Sequence, residues 1–317
     1  MRAISDHPDE STDLWSEWLL HIRHADDPGY AAVVRGLVEG YADRVLDGAG
    51  LAPGMILADV GAGEGLLAFR AIDRMGPSLR VILTDISAAM LRHAEAIAID
   101  RGVRAQCEFH VNPADHLTGL ADASVDVVAT RASLAYVADK PAALREFHRV
   151  LKPGGRISLC EPILQDEAFF ARVLRRKIEG RGSGPADRFM VLLHRWKAAQ
   201  FPDTEELCAK SPITNFSERD LLNFVRAAGF GDVHLELHID VMPSPITSWE
   251  VHLGISPHPW APTLRQILAE QFSTEERQLF EQIVRPIVES GKNMSTERAA
   301  YIVAKKAALS MRMILYD

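Results

Sequence analysis

The chain has 317 residues, of which 47% are apolar and 25% are charged, so it can bury a substantial core as one large domain or two modest ones. This composition excludes the disordered and fibrous classes. Acidic residues outnumber basic ones by 43 to 35, and the resulting net charge of −8 disfavours a nucleic acid as the main partner. Three scattered cysteines exclude a disulfide framework and a zinc knuckle. The chain contains no run of eighteen apolar residues, the pattern that predicts a membrane span. We therefore expect a cytoplasmic protein without a metal site.

Two helical patterns open the chain. Apolar residues recur at helical spacing from about Ser11 to His24, with Ser11 as the expected N-cap, and again from Tyr30 to Leu46. Asp27-Pro28-Gly29 separates the two segments. We expect residues 1–50 to form a helical lid.

After Pro53-Gly54, short apolar runs alternate with helical stretches. The predicted strands are Met55–Val60, Arg80–Thr84, Gln106–Val111, Val125–Thr130 and Arg156–Cys160, and the predicted helices are Leu66–Arg74, Ser87–Asp100 and Lys140–Val150. This alternation is typical of a parallel sheet with crossover helices. We expect residues 51–162 to form a doubly wound α/β core that binds a cofactor.

The second half of the chain is less regular. A helix at Glu218–Ala228 and strands at Val233–Val241 and Ala299–Lys305 return the chain to the sheet. Two helical insertions separate these parts, and the second contains predicted helices at Pro262–Phe272 and Thr274–Glu289. The expected boundaries are a substrate cap at 163–215, a return to the core at 216–242, a second insertion at 243–298, and a last strand with a tail at 299–317.

A glycine turn follows the first strand. Gly61, Gly63 and Gly65 open a helix, and they let the backbone approach a ligand closely while the helix N-terminus offers free N–H groups. The dinucleotide fingerprint requires a glycine at the next position of its pattern, where this chain has Leu66. Asp59 also lies two residues before the first glycine. The spacing therefore points away from NAD and FAD.

An acid ends the second strand. Asp85 lies about twenty residues beyond the glycine turn, where a carboxylate can accept hydrogen bonds from both hydroxyls of a ribose. Ile86 follows and can lie against a flat base. The alternative is that Asp85 caps the helix that starts at Ser87. The order of strand, glycine turn, helix, strand and acid favours the ribose interpretation.

Four motifs together resemble the class I S-adenosylmethionine-dependent methyltransferases, in the broad group of ubiquinone-pathway and small-molecule enzymes. The motifs are Asp59-Val-Gly-Ala-Gly-Glu-Gly65, Thr84-Asp-Ile86, Ser124-Val-Asp-Val-Val128 and Glu146-Phe-His-Arg-Val-Leu-Lys-Pro-Gly-Gly155. The resemblance covers about Tyr30 to Pro162. It implies a Rossmann-like fold with a seven-stranded, mostly parallel sheet and S-adenosylmethionine as the cofactor.

The resemblance also assigns roles in the cofactor site, to which Asp59 belongs. It implies that Gly61 and Gly63 surround the methionine part of the cofactor, that Asp85 binds the ribose, and that Arg131 lies near the methionine end.

One segment departs from the family pattern. After the third strand the family usually has Gly-Asp-Ala, whose acid binds the adenine amino group, whereas this chain has Asn112-Pro113-Ala114-Asp115. Asn112 or Asp115 is expected to supply that bond, with Ala114 counted among the cofactor-binding residues.

The sequence gives less specific signals for the residues that bind the methyl acceptor. Methyl transfer requires alignment of the acceptor with the methyl group and exclusion of water, and some acceptors also need a base. The candidate bases are His194, His252, His258 and Glu161. Trp196 and Trp260 are candidate pocket walls, while Trp15 and Trp18 more simply pack as part of the lid. Each histidine alone is more typical of a surface or satisfied core residue.

We expect transfer of a methyl group to a small, hydrophobic or aromatic acceptor through O, S, N or C. One rival function is methylation of nucleic acid or protein, which the acidic charge and the absence of an Asn/Asp-Pro-Pro-Tyr/Phe signature disfavour. The other is a regulatory subunit that binds the cofactor without turnover. The sequence leaves a homodimer open.

Overall fold

A seven-stranded sheet organises the protein, whose computed structural model describes residues 12–179 and 184–308. The strands are β1 (Ile56–Val60), β2 (Arg80–Asp85), β3 (Cys107–Val111), β4 (Val125–Arg131), β5 (Leu151–Pro162), β6 (Phe230–Pro243) and β7 (Met294–Lys306). Their order is β3-β2-β1-β4-β5-β7-β6, and β7 runs antiparallel to both of its neighbours. The predicted fold class, a doubly wound and mostly parallel seven-stranded sheet, is confirmed.

Twelve α-helices accompany the sheet in the described residues. They are α1 (Leu14–Leu20), α2 (Pro28–Ala49), α3 (Leu66–Met75), α4 (Ala88–Asp100), α5 (Lys140–Val150), α6 (Gln165–Ile178), α7 (Pro185–Gln200), α8 (Glu205–Lys210), α9 (Glu218–Ala227), α10 (Trp249–Gly254), α11 (Leu264–Gln271) and α12 (Thr274–Glu289). Within the same residues, no helix has the length and apolar character needed to cross a membrane.

Helices cover both faces of the sheet. Side chains alternate along β1, so Leu57 packs with α2, α3 and α4 while Ala58 and Val60 pack with α5 and α9. Burial on both faces explains why the central strands are nearly continuous apolar runs in the sequence. The carboxyl ends of β1, β2 and β4 consequently meet at one edge, where α1 lies.

The N-terminal region differs from its prediction. Asp13 caps α1 by accepting hydrogen bonds from the backbone of Trp15 and Ser16, and the predicted N-cap, Ser11, lies outside the described residues. The α-helix ends at Leu20, and a short 3-10 turn over Ile22–His24 continues the chain. A left-handed residue follows this turn, so one continuous helix to His24 was wrong.

Three strands are longer than predicted. Leu151–Gly155, which precedes the predicted strand Arg156–Cys160, lies within β5 at a point where the pairing register with β4 shifts. β6 and β7 pair from Phe230 opposite Lys306 to Pro243 opposite Met294, so their connection spans only residues 244–293. The extra pairing arises between the two strands and has no local signature in either one.

The two insertions pack together as one helical cap. The cap has its own apolar core, separate from the two cores that flank the sheet, and α7 inserts Leu192 among side chains of α10, α11 and α12. Polar contacts reinforce this packing, since Arg195 donates to the Gln271 carbonyl at 2.8 Å and Gln200 donates to the Pro262 carbonyl at 3.0 Å. Segments far apart in sequence therefore form one unit above the sheet.

Arg149, in the motif Glu146–Gly155 at the end of α5, makes several hydrogen bonds that link this helix to the loop before β4. Its guanidinium donates to the Glu146 carboxylate at 2.8 and 2.9 Å, to Asp122 at 2.7 Å, and to the carbonyls of Leu120 and Leu117 at 2.9 and 3.2 Å. Glu146 also accepts from the Leu117 backbone at 2.9 Å, and the nearby Arg149 charge holds the pKa of this carboxyl below its usual value. The pair fixes the loop that leads into β4.

We predict that Arg149→Gln lowers the free energy of unfolding by about 1.5–3 kcal/mol, the range for hydrogen bonds to a charged group. Chemical denaturation monitored by circular dichroism measures this change. The control is Arg80→Gln, which removes an exposed pair with Glu108 and should change stability by at most about 0.5 kcal/mol. Equal effects of the two substitutions would contradict the role of Arg149.

Candidate active site

A cavity of about 250 Å³ lies at the carboxyl edge of the sheet. Its walls come from α1, from the turn after β1, and from the loops after β2, β3 and β4. All eight residues of the predicted cofactor set occur either in this wall or directly beside it: Asp59, Gly61, Gly63, Asp85, Ile86, Asn112, Ala114 and Arg131. The fold therefore brings together residues that span more than seventy positions of the chain.

The glycine turn between β1 and α3 is left-handed at Gly61, Gly63 and Gly65, with φ of +70°, +54° and +83°. A Cβ added to Gly61 would lie 1.9 Å from the Ser133 hydroxyl oxygen. At Gly63 the nearest described atom would be a methyl carbon of Leu19 at 3.7 Å, an ordinary van der Waals contact without a clash. Gly61 is thus required for packing against the loop after β4, whereas Gly63 faces the cavity.

Asp85 joins this turn to the end of β2. Its carboxylate accepts hydrogen bonds from the backbone of Gly63 and Ser87, both at 2.8 Å. The side chain is 8% exposed, and burial raises its pKa. Each carboxylate oxygen keeps a second lone pair, which can accept from a ligand hydroxyl. Ser87 caps α4 with its own hydroxyl, so the capping interpretation is not needed for Asp85.

The loop after β3 forms the end of the cavity beside Asp85. Ile86 is 59% exposed and can pack on a flat ring. Asn112 is buried, and its side-chain amide donates to the Thr118 carbonyl at 2.7 Å, which holds the loop in place. Ala114 and Asp115 line the cavity next to it.

Charged groups gather at the opposite end of the cavity. Asp59 is fully buried, accepts from the Ala68 backbone at 3.1 Å, and has its pKa raised to about 7 by burial. Arg131, at the end of β4, lines the same end. The buried Asp59 therefore anchors the start of α3 and does not project as a free carboxylate.

Arg23 is a further candidate site residue that the sequence reasoning missed. It lines the cavity, and burial together with the charge of Arg131 lowers its pKa to about 10, so it stays charged at neutral pH. Within the part of the chain that the structure describes, its buried Nε has no hydrogen-bond partner, a costly state that an anionic ligand group would relieve. Arg23 follows Leu19 by four residues, so the available signal was a charge on the apolar face of an amphipathic segment.

Glu161 serves the turn after β4. Its carboxylate accepts from the Thr130 hydroxyl and from the backbone of Ser133 and Ala135, at 3.1 and 2.9 Å. The side chain is fully buried, which raises its pKa. It is absent from the cavity wall, so its position favours holding the turn over acting as a base.

The three candidate histidines lie in the cap or at its edge, outside the cavity wall. His194 pairs with Asp203 at 3.0 Å, and buried His258 bonds the Gln200 carbonyl through Nε2 at 2.7 Å. His252 packs against the rings of Trp196 and Trp249. Within the described residues, Nε2 of His252 and Nδ1 of His258 are buried without a hydrogen-bond partner, so these contacts satisfy the two rings only in part.

The two candidate tryptophans lie in different surroundings. Trp196 packs in the cap core against Phe280 and His252 and does not reach the cavity wall. Trp260 instead contacts Trp15 and Tyr136, two residues that line the cavity. Neither tryptophan is part of the cavity wall, and of the two Trp260 is the one that packs against residues of that wall.

The order of the lining residues along the cavity fits a ligand that carries a flat ring, two vicinal hydroxyls and an anionic group. A flat ring can lie beside Ile86, two vicinal hydroxyls can reach Asp85, and an anionic group can lie near Arg23 and Arg131. The helix α1 covers this path, because Leu19 approaches Gly63 and Trp18 donates to the Ser256 carbonyl at 3.2 Å.

Comparison with known proteins agrees with this geometry. A family model described as a methyltransferase domain matches residues 51–209, half of the chain. Nocamycin O-methyltransferase from Saccharothrix syringae is 37% identical over 122 residues, which cover 38% of this chain and 43% of that protein. A ubiquinone/menaquinone biosynthesis C-methyltransferase from Hahella chejuensis is 37% identical over 37% of this chain and 46% of its own length. The matched segments thus span less than half of either relative.

The fold also has a solved counterpart. The YcgJ protein from Bacillus subtilis aligns with a TM-score of 0.54 at 18% identity, over 84% of this chain and 98% of its own. At this identity the likeness concerns the fold alone.

We predict an acid-side loss of stability that depends on His252. Burial, together with the charge of Lys197, lowers the pKa of this ring from 6.5 to about 4. Between these values the unfolded chain binds a proton that the folded protein does not, so the free energy of unfolding falls as pH falls from 6.5 to 4. Denaturant titrations across this window should show a smaller pH slope for His252→Gln. His93→Gln, at an exposed side chain on α4, should keep the wild-type slope. An unchanged slope in His252→Gln would contradict the assignment.

Proposed function

The chain belongs to the class I S-adenosylmethionine-dependent methyltransferases, and we propose that it transfers the methyl group of this cofactor to a small hydrophobic or aromatic acceptor. The observation that carries the proposal is the continuity of one cavity from Asp85 and Gly63 to the aromatic side chains under α1. The glycine turn and Asp85 offer polar contacts to a ribose and methionine group, and Trp15, Trp18 and Tyr136 offer an apolar wall to a molecule beside it.

We assign the cofactor contacts as follows. Asp85 accepts hydrogen bonds from the ribose hydroxyls, and the open side of Gly63 admits the methionine part. Arg23 and Arg131 bind the methionine carboxylate, which satisfies the buried Nε of Arg23. Asp115 or the side-chain oxygen of Asn112 accepts from the adenine amino group, because the bond to the Thr118 carbonyl uses only the amide nitrogen of Asn112.

Positioning is the main catalytic contribution in this proposal. The cofactor supplies a methyl group that its sulfonium already activates. The chain aligns the acceptor with that methyl group and excludes water by closing α1 over the site. Since His194, His252 and His258 all lie outside the cavity wall, an acceptor that needs a histidine base is disfavoured. A cytoplasmic location and a homodimer stay predictions.

We predict that Gly63→Val abolishes binding of S-adenosylmethionine and S-adenosylhomocysteine while the protein stays folded. The branched side chain would occupy the open space that the methionine part needs. The control is Gly102→Val, because Gly102 also has a left-handed φ, of +69°, and an added Cβ there meets no atom within 4 Å. Calorimetry should detect cofactor binding in the control and none in Gly63→Val. Retained affinity in Gly63→Val, or unfolding of that variant alone, would contradict the role of Gly63.

A labelled-methyl assay tests the proposed reaction. The wild type is incubated with radioactive S-adenosylmethionine and either a panel of phenols, quinols and thiols or bulk RNA and DNA. We expect label in a small molecule, with almost no dependence on salt, and a loss of turnover in Asp85→Ala through weaker cofactor binding. Label in nucleic acid that declines steeply with salt would instead support the nucleic-acid alternative. Cofactor binding without any transfer would favour the regulatory subunit.

A further inference from the structure

Three aromatic rings from distant segments meet beside the cavity. Trp15 lies on α1, Tyr136 ends the 3-10 turn Leu134–Tyr136 after β4, and Trp260 lies between α10 and α11. Ring centroids are 5.2 Å apart for Trp15 and Tyr136, 5.7 Å for Tyr136 and Trp260, and 5.9 Å for Trp15 and Trp260. We call these three residues the aromatic corner.

The rings stand nearly perpendicular to one another. Their planes cross at 82°, 67° and 71° in the same order of pairs, so each ring presents its edge to a neighbour. Such a corner can offer one ring face and one ring edge to the same flat molecule, which are the two favoured contacts between aromatic groups. A saturated ring of similar size gains burial but neither of these contacts.

The corner is held in place from two sides. Glu161 fixes the turn that carries Tyr136 through the backbone of Ser133 and Ala135. Trp18, one turn beyond Trp15 on α1, donates to the Ser256 carbonyl in the segment that leads to Trp260. A surface that is already ordered loses little conformational entropy when a ligand binds.

The corner also lies at the correct end of the cofactor site. The same turn that carries Tyr136 contacts Gly61, because a Cβ there would reach Ser133 within 1.9 Å. In the proposed function, Gly61 and Gly63 surround the methionine part, from which the methyl group leaves. Trp15 and Tyr136 both line the cavity, and Trp260 is 46% exposed and so remains accessible.

Neighbouring charges restrict the kind of ligand. The guanidinium of Arg23 lies 5.9 Å from the ring of Trp18, and Arg131 lines the same end of the cavity. Two arginines beside the rings oppose a cationic acceptor, which aromatic rings alone would attract.

We propose that Trp15, Tyr136 and Trp260 form the acceptor subsite and that this subsite selects planar aromatic molecules without a positive charge. The inference rests on the proposed function, since it takes the adjoining cavity as the cofactor site. It adds where the acceptor binds and which shape is preferred.

Two probes of matched size test the preference. The protein is saturated with S-adenosylhomocysteine, and binding of 2-naphthol and of decahydro-2-naphthol is measured by calorimetry. We expect 2-naphthol to bind about 2- to 12-fold more tightly, the equivalent of one aromatic pair. Trp260→Ala should remove most of this preference, and Trp260→Phe should restore part of it.

The control is Phe169→Ala, which removes an aromatic side chain 52% exposed on α6 and outside the cavity wall. It should keep the wild-type preference. Equal binding of both probes by the wild type, binding of neither, or an unchanged preference in Trp260→Ala would overturn the inference. Binding of S-adenosylhomocysteine is measured in each variant as a test of folding. Its absence in the wild type would overturn the proposed function itself.

Discussion

The cofactor site depends on one backbone constraint, the left-handed turn between β1 and α3. Gly61 and Ala62 donate to the Thr84 carbonyl at 2.8 and 3.0 Å, and Gly63 donates to the Asp85 carboxylate. These hydrogen bonds join the ends of β1 and β2 and leave the first turn of α3 pointing at the cavity. L-residues that carry a side chain rarely adopt this backbone conformation, so the turn requires glycine. Because glycine has no Cβ, the turn leaves space in which a ligand can bind.

Buried charges then position the remaining parts of the site. Asp59 and Glu161 are taken out of water, and backbone N–H groups at the starts of neighbouring helical turns stabilise them. Both carboxylates are therefore used to place α3 and the turn that carries Tyr136. Arg23 differs, because its buried Nε has no such partner. Asp59 and Glu161 therefore stabilise the fold, whereas Arg23 is expected to pair with an anionic group of a bound ligand.

The helical cap explains why aromatic and histidine residues far from the sheet divide into two groups. α7 and α10 to α12 bury Trp196 and His252 in a core of their own. Trp260 lies at the border of that core and faces α1 and the turn after β4. Variation of the cap can thus alter the acceptor side without disturbing Asp85 or the glycine turn, which belong to the sheet.

The sequence alone predicted the doubly wound fold, the cofactor class and eight candidate residues that line one cavity, because each depends on local order. A strand, a glycine turn, a helix and an acid such as Asp85 follow one another within about thirty residues, and parallel strands bring such motifs to one edge. Tertiary structure alone decided the lengths of β6 and β7 and the position of Arg23 in the cavity wall. It also decided the ring contacts between Trp15, Tyr136 and Trp260. These features arise from contacts between segments more than fifty positions apart. The free energy of such contacts comes from packing and burial and leaves no periodicity in the chain.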